Sequence, residues 1–410
     1  MEKIVITGTG TVNPLGLNVE DTWKNVVNGV SGVGPITLFD ASSWNVQIAA
    51  ELKNFDPAKF MDAKEARRRD RFEQLGVAAA KEALAQSGLE ITDANRHRVG
   101  VIVSSAIGGM KSLQDAAFTL KADGPRRVSP FLIPMLMPNG ASGIIAIDYG
   151  IQGPAFSVAS ACASGSDGIG MAWMMLRAGM IDAAIAGAAE ATICEIGVAA
   201  FDRIGAMSRQ NTDYSMTPAP FDKNRDGLVM GEGAGVLVLE RESTARARGA
   251  VILAELAGYA ATADAYHVTA PDANGAGGSA AIRAALDSAT VNLDEVGYVS
   301  AHGTGTSLND AAETKAIKSA FGEQAYKLSI SSTKSMTGHM MGATGALEAI
   351  FCARAVREGV LPPTLHYQTP DPDCDLDYIP NQAREKKIEV AISNAFGFGG
   401  HNSVLVVRRY

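Results

Sequence analysis

The sequence predicts an α/β protein built as two similar halves. Short apolar strands alternate with alanine-rich helical stretches along the whole chain, the pattern of helices packed on sheets. An ordered set of segments also appears twice. The chain has 410 residues, enough for two domain-sized cores or one large composite core. Hydrophobic residues make up 47% and charged residues 20%, which fits a compact chain and not a disordered one.

The opening run Met1-Glu2-Lys3-Ile4-Val5-Ile6-Thr7 reads as a strand and not as a leader peptide. Gly8-Thr9-Gly10-Thr11-Val12-Asn13 then resembles a dinucleotide-binding turn, but Asn13 occupies the third glycine position and Pro14 follows, so nucleotide binding is not expected. Further on, the helical Glu82 to Ser87 is followed by the Val-Gly strand Arg98 to Ser105. The same order returns when Ala284 to Ser288 is followed by Glu295 to Ala301, and Ile4 to Thr9 corresponds to Ala254 to Ala260. Gly231-Glu232-Gly233-Ala234-Gly235 precedes an apolar strand instead of following one, which suggests a close-packed turn. The boundary between halves is expected near residue 250, after the charged stretch Arg241 to Arg248, giving 1–250 and 251–410. Each half should contain a parallel-rich sheet under helices.

Composition excludes several functions. A formal charge of −8 argues against a general nucleic-acid binder. The four cysteines, Cys162, Cys194, Cys352 and Cys374, are scattered and form no CxxC pair, so neither a disulfide framework nor a zinc site is expected, and a reducing, cytoplasmic compartment fits. Gly, Pro or charges interrupt every apolar run before it reaches membrane-spanning length.

Chemistry concentrates in four loops. Cys162 lies in Ser160-Ala161-Cys162-Ala163-Ser164-Gly165, where a strand-like segment gives way to a small-residue helix. A thiol there faces the positive end of the helix dipole, so a lowered pKa and a nucleophilic role are expected. His302 sits in Ser300-Ala301-His302-Gly303-Thr304-Gly305-Thr306, and His339 ends Lys334-Ser335-Met336-Thr337-Gly338-His339. The fourth loop is Asn394-Ala395-Phe396-Gly397-Phe398-Gly399-Gly400-His401, read as following the strand Val390 to Ser393. Taken singly, each histidine reads as a hydrogen-bonded structural residue, Lys334 as a solvated side chain and Cys162 as a small buried hydrophobe. Together they follow strands, and α/β sheets collect ligands beyond the carboxyl ends of strands, so the four loops are expected to converge.

These four motifs resemble those of the β-ketoacyl-[acyl-carrier-protein] synthases of the thiolase superfamily, most closely the type II enzymes. The resemblance spans essentially the whole chain. It implies duplicated βαβαβαββ halves forming a five-layer αβαβα sandwich, with the nucleophile in the first half and both histidines in the second. It implies a decarboxylative Claisen condensation: acylation of Cys162, then attack by the enolate from malonyl-carrier protein, giving a 3-oxoacyl-carrier protein. A type I synthase or a polyketide-pathway ketosynthase is the alternative. A non-catalytic chain-length partner would lack Cys162.

The resemblance assigns roles residue by residue. The backbone N–H groups of Cys162 and Phe398 form the oxyanion hole. His302 and His339 stabilise the enolate, and Lys334 biases their charge, balanced by Glu348. Thr304 and Thr306 bind the phosphopantetheine arm, Ile107 sets acyl-tunnel depth for medium and long chains, and Phe201 and Phe398 line or gate the same space. Residues around Ile133 to Pro138 reach the partner pocket of a homodimer. The acidic carrier protein needs a positive rim, for which the clusters Lys64, Arg67, Arg68, Arg69, Arg71 and Arg126, Arg127 are candidates. Gly205 stands where related enzymes have a docking arginine, leaving Arg203 or Arg209 to substitute. His401 is given no catalytic role. No organic cofactor or catalytic metal is required.

Overall fold

A computed structural model describes residues 2–410. The strands of its main sheet, in chain order, are β1 (Ile4–Val12), β2 (Val99–Ser104), β3 (Ala183–Glu190), β4 (Gly233–Arg241), β5 (Ala254–Ala263), β6 (Val296–Ser300), β7 (Ser329–Ser331), β8 (Val390–Gly397) and β9 (His401–Arg408). Among the described residues these nine pair in the order β2-β3-β4-β1-β5-β9-β8-β6-β7. The helices that matter below are α1 (Arg71–Ser87), α2 (Ser164–Arg177), α3 (Glu195–Ile204), α4 (Ala276–Ala289), α5 (Ser307–Phe321), α6 (Lys334–Thr337) and α7 (Thr344–Glu358).

The pairing repeats. In the first half β2 and β3 are parallel while β3–β4 and β4–β1 are antiparallel. In the second half β6 and β8 are parallel while β8–β9 and β9–β5 are antiparallel. The outer parallel strand β7 beside β6 has a counterpart too, since Ala155 bridges Val101 of β2 in parallel. The helix–strand repeat in the sequence thus coincides with α1–β2 and α4–β6. A short antiparallel contact, Val5 with Glu255 and Ile6 with Ala254, joins the two half-sheets through β1 and β5. Within each half every strand but one points the same way, as expected of a parallel-rich sheet. Only the last strand of each half, β4 or β9, runs against the others and so pairs antiparallel on both sides; in the second half the closing hairpin β8–β9 needs only a tight turn where a parallel return needs a crossover.

Three cores separate five layers. One lies between α1 and the first half-sheet, centred on Phe72, Leu75, Val101 and Val236. A second lies between the second half-sheet and α4 with α5, built on Ile282, Leu286, Ile317 and Ile392. The largest core lies between the half-sheets, where α2 and α7 contribute Ile169, Leu176, Leu347, Ile350 and Val356. These two central helices touch strands of both halves. They bury both flanks, so their sequences lack a polar stripe, and Ala172, Ala346 and Ala349 let them approach closely.

The glycines once comparable to a dinucleotide turn lie inside β1. A Cβ on Gly8 would meet the Ala83 carbonyl at 2.1 Å, and one on Gly10 the Ala79 carbonyl at 2.0 Å. They let α1 approach the strand, leaving no loop for a nucleotide. All four cysteines are free and buried. Among the described residues no helix is long and apolar enough to cross a membrane.

Candidate active site

Cys162 lies in a single 3-10 turn, Ala161–Ala163, that feeds directly into α2. Ala161 carries a left-handed φ of 50°, a strained choice for alanine that persists only when its surroundings hold it. The holding contacts are visible. Ser160 donates its backbone N–H to the Ser164 hydroxyl at 3.0 Å, Ser164 donates that hydroxyl to the Ala161 carbonyl at 2.6 Å, and the Ser160 hydroxyl donates to the buried carboxylate of Asp167. Tyr259 of β5 donates to the other Asp167 oxygen at 2.8 Å. The nucleophile turn is thereby tied to the second half of the molecule.

The hairpin β8–β9 closes over this turn. The structure extends β8 through Gly397, so Asn394 to Gly397 are strand, and only Phe398 to Gly400 form the turn. The longer loop expected from the sequence is corrected here, because Gly397 pairs with His401 and prolongs the hairpin. A Cβ on Gly397 would lie 2.9 Å from the Ser160 carbonyl and 3.0 Å from the Cys162 nitrogen. Glycine lets the hairpin sit against the thiol, and the N–H groups of Phe398 and of Cys162 itself point at the sulfur.

The histidines face each other across the same space. Their ring centroids are 5.3 Å apart and the rings nearly perpendicular, with Phe396 5.9 Å from His302. Glu313 of α5 anchors the His302 loop by accepting from the His302 N–H at 2.8 Å and the Gly303 N–H at 2.7 Å, while Asn394 donates to it at 3.1 Å. His339 is fixed by its backbone N–H on the Val229 carbonyl at 2.7 Å and by Nδ1 3.1 Å from the Thr344 hydroxyl. Lys334, at the start of α6, lies wholly buried, with Nζ 2.7 Å from Glu348 Oε1 on α7. It is absent from the cavity wall, so it acts on the site through its field.

Electrostatics follow from burial. His302 and His339 are held well below their ordinary pKa by loss of water and by the Lys334 charge, His302 also by its histidine neighbour, so both rings are neutral. Glu348 is pushed up to about 7 by burial, against the pull of Lys334. The lowered thiol pKa expected for Cys162 is corrected. Burial pushes it up to about 11, against the Phe398 N–H, the Lys334 charge and its own N–H, while Glu190 pushes the same way as burial. A single helix end is too weak to offset full desolvation.

Cys162, His302, His339, Phe398, Phe201, Thr304 and Thr306 all line one cavity of about 350 Å³. Thr304 and Thr306 hydroxyls bond each other at 2.9 Å, and Phe201 and Phe398 stack at 6.4 Å. Ile107 does not line it. Its loop lies behind the wall, where a Cβ on Gly342 would meet the Ala106 nitrogen at 2.8 Å, next to the wall residue Met341.

The basic clusters divide. Lys64, Arg67, Arg126 and Arg127 are exposed, and Arg68 stacks on Phe131 at 4.8 Å, which brings the two clusters side by side. Arg69 and Arg71 are structural instead: Arg69 grips Asp148 with two bonds of 2.7 and 2.8 Å, and Arg71 grips the buried Glu232 at 2.6 and 2.7 Å. At the cavity rim beside Ile204 and Gly205, Arg209 is paired with Asp202 and Arg203 is exposed.

Sequence reasoning missed Glu313, Thr344 and Glu190. Glu313 left a trace, since it shares the buried face of α5 with Asp310 and Ile317, an acid inside an apolar stripe. No group of three or more His, Cys, Asp or Glu residues among the described residues is placed to hold a metal.

The family descriptions "Beta-ketoacyl synthase, N-terminal domain" and "Beta-ketoacyl synthase, C-terminal domain" match residues 1–245 and 253–368. A curated relative from Staphylococcus aureus (strain N315), 3-oxoacyl-[acyl-carrier-protein] synthase 2, is 48% identical over 409 residues, covering 100% of this chain and 99% of its own. Among solved structures, the ishigamide ketosynthase/chain length factor superposes with a TM-score of 0.93 at 36% identity, covering 100% of this chain and 99% of the other. A type II PKS acyl-carrier protein complex with its ketosynthase, bound to a hexaketide, superposes with a TM-score of 0.92 at 33% identity, with the same coverage.

Proposed function

The chain belongs to the beta-ketoacyl synthase family, and from that premise we propose how its residues divide the reaction. The protein is a 3-oxoacyl-[acyl-carrier-protein] synthase that condenses an enzyme-bound acyl group with malonyl-carrier protein to elongate fatty acids. The type I or polyketide reading is not favoured, since the curated relative carries the type 2 name over the full length. The single observation that carries the division of roles is the convergence of Cys162, both histidines and Phe398 on one cavity.

Acylation begins from a thiol. As the Cys162 sulfur attacks the acyl thioester carbon, a neutral imidazole takes its proton. The oxyanion is held by the N–H groups of Cys162 and Phe398, each such donor being worth about 3 kcal/mol in the barrier. Collapse expels the carrier thiolate, which takes back the proton. Malonyl-carrier protein then enters. Its bond to the carboxylate breaks, carbon dioxide leaves, and the electron pair moves onto the thioester oxygen. His302 and His339 donate ring N–H groups to that oxygen. The 3.1 Å contact between the Thr344 hydroxyl and His339 Nδ1 allows the hydroxyl to donate, the arrangement in which the ring proton sits on Nε2 and serves the substrate. The enolate carbon attacks the acyl carbon on Cys162, the Cys162 thiolate leaves, and a proton from solvent restores the thiol.

Thr304 and Thr306 bind the phosphopantetheine arm at the cavity wall. Lys64, Arg67, Arg68, Arg126 and Arg127 receive the acidic carrier protein, with Arg203 at the rim. A second copy of the chain covers the apolar surface of Phe118, Leu120, Ile133 and Met137, each more than a third exposed, as in the homodimer expected for the family. The boundary near residue 250 divides the halves 1–250 and 251–410, and the protein works in the cytoplasm. Mass spectrometry after incubation with acyl-carrier protein should find the acyl group on Cys162, and Cys162→Ala should abolish it. Acylation elsewhere, or normal condensation by that variant, rejects the scheme.

A further inference from the structure

Glu190, the last residue of β3, is wholly buried beside the site, yet the reaction scheme leaves it unused. Its two oxygens gather four donors from two separate segments. Oε1 accepts from the Ser105 hydroxyl at 2.8 Å and the Ile107 N–H at 3.3 Å; Oε2 accepts from the Ala106 N–H at 2.8 Å and the Gly342 N–H at 3.1 Å. Ser105 in turn accepts from the Gly108 N–H at 2.9 Å, which completes the turn around Ile107. One carboxylate therefore fastens the whole Ser105–Ile107 backbone to the turn Met341–Ala343.

That second turn is strained. Met341 lines the catalytic cavity with φ at 44°, a left-handed conformation that a methionine keeps only under constraint. The Gly342 N–H held by Glu190 is the next group along the chain. Ala106 packs so tightly on Gly342 that no Cβ fits between them. Met341 thus stands in the inner wall of the cavity, with the Ser105–Ile107 segment immediately behind it.

We infer that Glu190 is a positioning residue for acyl-chain selection: it pins both sides of the wall, so that the Ile107 and Met341 side chains move aside for a long acyl chain while their backbones stay fixed. This rests on the reading of Ile107 as the tunnel gate. A carboxylate suits the task because all four groups pointing at it are donors. Glutamine is isosteric, but its NH₂ faces two of those donors whichever oxygen it replaces, so either the bond to the Ile107 N–H or the pair to the Ala106 and Gly342 N–H groups is lost.

The test compares transfer of butyryl and dodecanoyl groups from carrier protein to Cys162 in the full-length enzyme. Glu190→Gln should lower kcat/KM for dodecanoyl about tenfold relative to butyryl, the size of losing one hydrogen bond to a charged group. A merely structural role lowers both equally, and that result overturns the inference, as does an unchanged ratio. Should Glu190→Gln fail to fold, Ser105→Ala removes one donor from Oε1 and should move the ratio the same way by a smaller factor; equal effects on both primers would again refute it. Ile107→Phe separates the two readings. If it blocks dodecanoyl transfer while the Glu190 and Ser105 variants leave the ratio alone, only the anchoring role falls. If Ile107→Phe leaves chain preference untouched, the gate itself falls.

Discussion

Replacing Lys334 with methionine isolates the buried charge pair behind the histidines. In the native protein Nζ lies 2.7 Å from Glu348, and neither side chain is more than 1% exposed. Removing the ammonium leaves Glu348 without its counter-charge, and a lone buried carboxylate escapes by taking a proton. The cost of that proton is set by the ordinary value of 4.5 that Glu348 regains on unfolding. At pH 7 it comes to about 3.4 kcal/mol, and at pH 5.5 to about 1.4 kcal/mol. The sign follows from a raised folded pKa: the unfolded chain releases the proton above 4.5 while the folded chain keeps it, so stability is lost as pH rises. Lys334→Met should therefore be less stable than Lys334→Met/Glu348→Gln by those two amounts, measured by urea denaturation at the two pH values. The same lysine depresses both histidines. Its removal should raise their pKa and bring an acid limb into the pH profile of malonyl decarboxylation. A stability difference that does not change with pH, or a decarboxylation profile identical to the native one in a folded variant, would refute the account of Lys334 as a field source acting from behind the site.

Single replacement of His302 or His339 by alanine should slow malonyl decarboxylation by a factor of about 100 or more while slowing Cys162 acylation less; equal losses in both half-reactions would mean that the rings only hold their loops. Native decarboxylation should stay flat through the ordinary histidine value of 6.5, since both rings are neutral there. Their lowered pKa gives a stability term of opposite sign to that of Glu348: the unfolded chain gains protons as pH falls below 6.5, so the fold loses stability on that side. Alkylation of resting Cys162 by iodoacetamide should keep accelerating above pH 9, as a thiol at about 11 requires; a plateau near neutral pH would reveal a resting thiolate. Lys64→Glu with Arg67→Glu should raise KM for carrier-bound substrate, most at low salt, and leave kcat unchanged. Arg69→Glu should instead lower the melting temperature, because Arg69 grips Asp148.

The sequence alone determined the α/β class, the duplicated order of segments and the four reactive loops. Those features are written locally: strand and helix periodicities, turn glycines, and a cysteine or histidine set among small residues. Periodicity cannot say which way a strand runs relative to its neighbour, so the reversed strand that ends each half emerged only with the pairing of β4 against β3 and β9 against β8. Nor does spacing report burial. The stretch containing Lys64 to Arg71 reads as one basic cluster, yet tertiary packing gave Arg69 and Arg71 acidic partners from distant segments and left Lys64 and Arg67 to solvent. The thiol at a helix start looked acidic for the same reason, since the dipole is a local property while the desolvation that outweighs it belongs to the assembled core. Glu313 and Glu190 were given no role because their work is to gather backbone donors from other segments. Which N–H groups meet a given carboxylate is fixed only when the chain has folded around it.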